Sequence, residues 1–76
     1  MAGIAQQLGV TDGMLRQLAQ AQGSLSRGKP GYVTTPAGHA LVRRGLAQHI
    51  GGLPYNARVA TQAGLDLLAR ARSMGW

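Results

Sequence analysis

Only 22 of the 76 side chains are bulky and apolar, and no cysteine is present to reinforce whatever core they build. Leu supplies ten of them, Val four, Met three, Ile and Tyr two each and Trp one; Phe is absent, and twelve Ala complete the apolar content. Splitting so short a chain would leave two pieces too small to hold a core, so a single domain over residues 1–76 is expected. Its stability belongs at the low end for single domains, which makes self-association as a homodimer an expected source of further burial. Zero Cys fits a reducing compartment. No apolar run approaches the roughly 18 residues of a membrane span. Residues 1–7 have neither a basic start nor a continuous apolar stretch, so no signal peptide is expected. A small soluble cytoplasmic domain without a membrane partner follows as the expectation.

Eight cations face two Asp, giving a net charge of +6, and seven of the eight are Arg. Such a surface repels basic proteins and attracts phosphate backbones or an acidic protein partner. Arg offers a planar fork suited to phosphate and guanine edges, whereas Lys is the usual choice for plain solubility. A genome biased toward Arg, Ala and Gly codons produces the same counts, so charge narrows the partner without identifying it.

The chain contains a degenerate internal duplication, with halves at about 15–42 and 43–72. Leu18-Ala19-Gln20 followed by Gly23 recurs as Leu46-Ala47-Gln48 followed by Gly51. Val33-Thr34-Thr35-Pro36-Ala37-Gly38, with Leu41 and Val42 after it, is matched by Val59-Ala60-Thr61-Gln62-Ala63-Gly64, with Leu67 and Leu68. Each copy also carries a Gly-x-Pro, at Gly28-Lys29-Pro30 and at Gly52-Leu53-Pro54. The unit reads as an amphipathic helix stopped by Gly, a Pro/Gly-turned ribbon, and a Thr that caps the next helix.

On this reading Thr11 opens a helix whose apolar stripe is Met14, Leu15, Leu18 and Ala19, and Gly23 ends it. Ser24 to Thr34 forms a hairpin turned at Gly28-Lys29-Pro30-Gly31. Thr35 caps a second helix with Pro36 at its first position. Gly38, Leu41, Val42, Gly45 and Leu46 line its inner face; His39 and Arg43 share its outer one. Leu46 to Ile50 and Ala57 to Ala60 make a second ribbon around residues 51–56. Thr61 caps a last helix with Leu67, Leu68, Ala71 and Met74 inward. Asp66 and Arg70 stand four apart in the favourable order, and Arg70 and Arg72 suit the helix C-terminus. The fold class is mainly α with short β-hairpins (α+β), in the order helix–hairpin–helix–hairpin–helix.

The segments Leu41-Val42-Arg43-Arg44-Gly45-Leu46, Gly51-Gly52 and Arg58-Val59-Ala60-Thr61-Gln62-Ala63-Gly64-Leu65 resemble small winged-helix DNA-binding domains. A recognition helix in that family commonly ends in Arg-Gly-Leu. Its wing doubles back through glycines, and a Thr-x-x-Gly-x-x-Leu helix start follows. Met14-Leu15-Arg16-x-Leu18 and Arg27-x-x-x-Gly31-Tyr32-x-Thr34 are similar to short phage and prophage proteins of this type. The resemblance covers roughly residues 11–72. It departs at one point, because no separate helix and tight turn precede the second helix. A second register takes Ile4 to Thr11 as first helix and turn, residues 11–22 as recognition helix and residues 24–34 as wing. What the resemblance implies is a phage or bacterial transcriptional regulator that contacts double-stranded DNA. The alternative is a phage-type inhibitor that binds a host protein or nucleic-acid-processing complex.

Phosphate contacts are expected from Arg43, Arg44 and Arg58, and from Arg27 with Lys29. In the second register Arg16 and Gln17 reach bases, since Gln pairs bidentately with adenine. If five or six of these cations meet phosphates, the log–log salt slope of binding is about −4 to −5. Catalysis finds no foothold: Asp12 and Asp66 are far apart, and Ser24, Ser26 and Ser73 lack a His or acid at a recognisable spacing. His39 and His49, without Cys or a nearby carboxylate, do not make a metal set. No enzyme activity, metal or cofactor is expected. Tyr32, Tyr55 and Trp76 are candidates to stack on bases, and Trp76 also to dock a dimer partner.

Overall fold

The computed structural model describes residues 3–34, 37–50 and 58–76. Within them lie α1 (Ile4–Gln7), α2 (Asp12–Ser26), β1 (Tyr32–Val33), α3 (Ala37–Arg43), β2 (Ala47–His49), β3 (Arg58–Ala60) and α4 (Gln62–Ser73). The architecture is mixed α/β, four helices around a small antiparallel sheet of order β1-β3-β2. Expectations for Thr35, Pro36, the 51–56 turn and Tyr55 lie outside the described residues. None of the described helices is long and apolar enough to cross a membrane.

The starts of α2 and α4 are as read from sequence. Thr11 accepts a hydrogen bond from the Met14 amide, and Thr61 from the Gly64 amide. The helix stops are not. Gly23 lies inside α2, which continues to Ser26, and the left-handed residue is Gly28, with φ +76°. There the Lys29 amide reaches the Ser24 carbonyl and the Gly28 amide the Leu25 carbonyl, so the last turn's orphan acceptors are satisfied. Gly45, expected on the inner face of the second helix, is instead the stop of α3. Its amide donates to Val42 and that of Leu46 to Leu41.

Because α2 takes up Ser24–Ser26, the first hairpin does not form. Only Tyr32–Val33 remains extended, and it pairs with β3 rather than with a neighbour in its own half. The second ribbon does form, Ala47 opposite Ala60 and His49 opposite Arg58. The two halves of the duplication therefore differ at Leu-Ala-Gln, helical at 18–20 and extended at 47–48, but agree after it: Val33 and Val59 lie in strands that lead into a helix, with Gly38 and Gly64 buried near its start. The observed order is helix–helix–strand–helix–hairpin–helix.

Leu15, Leu18, Leu41 and Leu68 are fully buried, with Ala21 and Ala71 letting the helices approach closely. α2 lies at the centre, packed on β1, α3 and α4. Met74 is not inward but 39% exposed, and Gly64 takes a buried position on α4. Thr61 ties the last helix to the one before it. Its hydroxyl donates to the Gly45 carbonyl (2.8 Å) while capping α4, and its amide donates to the Leu46 carbonyl (3.0 Å).

Gly23 is a helix-interior glycine with open surroundings, since a Cβ there meets only the Arg27 guanidinium at 3.8 Å. Gly23→Ala is therefore expected to stabilise the fold by about 0.5–1 kcal/mol. At about 4–8 °C per kcal/mol, thermal denaturation followed by circular dichroism reads the gain. A lower melting temperature would show that the chain does end its helix there.

Candidate nucleic-acid interface

α3 buries Gly38 and Leu41 and turns His39 and Arg43, one turn apart, to solvent. Beside it the β2–β3 ribbon starts its return with Arg58. Directly opposed residues share a sheet face, so Val33, Arg58 and His49 point to the same side. Arg58 reaches from that side across the start of α3. Its Cδ lies 3.1 Å from where a Gly38 Cβ would stand, so any larger residue would push Arg58 aside by a few tenths of an ångström.

The Arg58 Nη2 is 3.3 Å from His39 Nδ1 and 3.4 Å from Nε2. Near-equal distances to both ring nitrogens place the guanidinium over the imidazole face, because an in-plane approach would collide with the carbon between them. Arg58 Nε is buried and has no hydrogen-bond partner. Orphaned buried donors are rare and costly. Exposed His39 and Arg43, one turn apart, and half-buried Arg58, in contact with His39, thus form one patch beside the turn end of the ribbon. The described residues enclose no cavity, so this is a surface rather than a cleft.

The other expected contacts distribute differently. Arg44 is exposed, but its Nη1 donates to the Gly9 carbonyl and ties the end of α3 to the turn after α1. Gln17 is half-buried, and its Oε1 accepts from both the amide (2.9 Å) and the hydroxyl (2.6 Å) of Thr34. The local geometry of the second register does exist. α1 ends at Gly9, with φ +74°, and Thr11 caps α2. Yet α2 packs one face on β1, α3 and α4, and of the pair assigned to base contact only Arg16 is on its exposed face. Arg27 and Lys29 are exposed beyond its C-terminus.

Both carboxylates are engaged by neutral donors. Asp66 accepts from Gln62 (2.9 Å) in place of the expected pairing with Arg70, and Asp12 accepts from the Trp76 indole N–H (3.3 Å). Trp76 is therefore docked on its own chain at the start of α2. Arg72 bridges α4 to α2 through the Gln22 amide oxygen. No sequence signal marked the His39–Arg58 and Asp12–Trp76 contacts, which join residues from distant elements.

Comparisons of the chain with family models, with curated proteins and with solved structures found no match.

Proposed function

We propose that this chain binds duplex DNA as a small winged-helix-like protein, with α3 facing the groove and the β2–β3 ribbon acting as the wing. The observation that carries the reading is the patch of His39, Arg43 and Arg58, on a helix followed directly by a two-stranded ribbon. Arg58 is poised for a phosphate. Swinging off His39, it would exchange a buried N–H without an acceptor for a charge-assisted bond. Phosphate contacts of this kind position a protein on DNA, and bases in the major groove are then open to α3 side chains. Regulation of transcription, in a phage or bacterial setting, is the role this reading extends to. A homodimer, which would set two such patches about one DNA turn apart, has exposed Met74 as its apolar anchor, Trp76 being engaged internally. A light-scattering mass of twice 7.9 kDa supports that part and 7.9 kDa removes it.

Gel shift with random-sequence duplex at low salt tests the central claim. Wild type is expected to bind in the micromolar range typical of non-specific association. Arg43→Ala with Arg58→Ala should weaken it by roughly 10- to 100-fold, at about 1.4 kcal/mol per tenfold. Gln17→Ala should instead lower stability, through the loss of the Thr34 contacts. A folded protein that binds no duplex at 50 mM salt overturns the reading in favour of an acidic protein partner.

A further inference from the structure

The outward face of α2 carries charge that the patch on α3 does not use. At 100° per residue, Arg16, Gln20, Gly23 and Arg27 fall within one narrow stripe, diametrically opposite the buried Leu15, Leu18 and Ala21. α3, α4 and β1 all pack on the buried side, so this stripe points away from α3 and the ribbon. The rest of the outer surface is small or neutral, with Ala19, Gln20, Gly23 and Ser26, and Lys29 extends it past the helix end. The acid at its other end, Asp12, is held by Trp76. Arg27 folds back along the stripe, its Nη1 lying 3.8 Å from where a Gly23 Cβ would be. That sets its guanidinium two turns from Arg16, roughly 10 Å along the axis.

We propose that this stripe is a second phosphate-backbone surface, so that one molecule holds two DNA duplexes on opposite sides of its core. Arg16 and Arg27 on one exposed stripe, with Lys29 past its end, present three cationic donors to the phosphates of one duplex. The glycine and alanine between the two arginines keep the helix surface low, so the phosphate backbone can approach. A single straight duplex seated on α3 and the ribbon has α3 and the core between it and α2, so the two surfaces serve separate duplexes. The inference rests on the DNA-binding reading above and adds the second duplex to it.

A capture experiment tests it with full-length protein. A biotinylated 30-base-pair duplex is held on beads, and a fluorescent duplex of unrelated sequence is offered with protein at 50 mM salt. Wild type should retain the fluorescent duplex, and Arg16→Ala with Arg27→Ala and Lys29→Ala should cut retention at least tenfold. The same variant should change affinity for a single duplex, measured by anisotropy, less than threefold. Arg16→Ala alone, an exposed change that favours helix, should give a partial loss and guards against misfolding of the triple variant. Binding of one duplex without retention of the second overturns the proposal and leaves the DNA-binding reading standing. Retention that survives in the triple variant also overturns it, because bridging then comes from a dimer. If wild type binds no duplex at all, both readings fall together.

Discussion

Gly64→Ala is expected to unfold most of the protein at 37 °C. A Cβ at that position would stand 2.2 Å from the Leu46 carbonyl oxygen and 2.9 Å from Leu18 Cδ2. The leucine end can rotate away, but the carbonyl cannot. It already accepts the Thr61 amide and sits just after the Gly45 turn, whose own carbonyl takes the Thr61 hydroxyl. To admit one methyl, the start of α4 must retreat by more than an ångström from the strand it is tied to, breaking the Thr61 contacts or opening the Leu18–Leu68 packing. Overpacking of this sort costs about 1–3 kcal/mol, and more where backbone is the obstacle. A core of this size supplies only about 3–5 kcal/mol in total. Urea denaturation of the variant reads the loss directly. A midpoint within error of wild type would mean that α4 and β2 are not pressed together at this residue.

Affinity for one duplex should fall about 12-fold between 50 and 200 mM salt. Two free cations on the α3 and ribbon side, Arg43 and Arg58, give a log–log slope of about −1.8, at −0.9 per phosphate neutralised, Arg44 being held by the Gly9 carbonyl. The sequence alone, with five or six of the eight cations counted toward one partner, suggested about −4 to −5. The difference is a matter of assignment, because the proposal above leaves Arg16, Arg27 and Lys29 to a second duplex. Two-duplex retention, which engages both sets, should show the steeper slope of about −4.5. Fluorescence anisotropy at four salt concentrations measures the first slope and bead capture the second. A single-duplex slope of about −4.5 would mean that both surfaces touch the same duplex. A slope near zero would mean that charge does not drive binding.

Helix beginnings were legible because a capping hydroxyl followed by an apolar stripe is a local signal, and Thr11 and Thr61 both cap as expected. Helix ends were less so. Gly23 and Gly28 are equally good stops by composition; Gly28 is used because stopping there lets α2 bury Ala21 and Ser24 and lets Leu25 cover Gly31. The repeated Leu-Ala-Gln shows the same limit. Residues 18–20 are mid-helix, downstream of a cap and among helix formers, whereas Ala47 and Gln48 follow a glycine stop and find β3 beside them. At the site, Arg43 and Arg58 could be named from charge and position. That Gln17 and Arg44 are engaged at home, by Thr34 and Gly9, depends on contacts across the fold that no spacing announces.

The strand order has a consequence for how the chain is made. β3 lies between β1 and β2, so the two strands synthesised earlier never touch each other and neither has a partner until residue 58 emerges. Closing the loop from Tyr32 to Val59 then costs several kcal/mol of chain entropy at once. α4 follows directly, bringing Leu68 and Ala71 against the leucines of α2. Before residues 58–60 are made the sheet cannot form, so the ribbon that bears Arg58 is completed in the same step as the core beneath it.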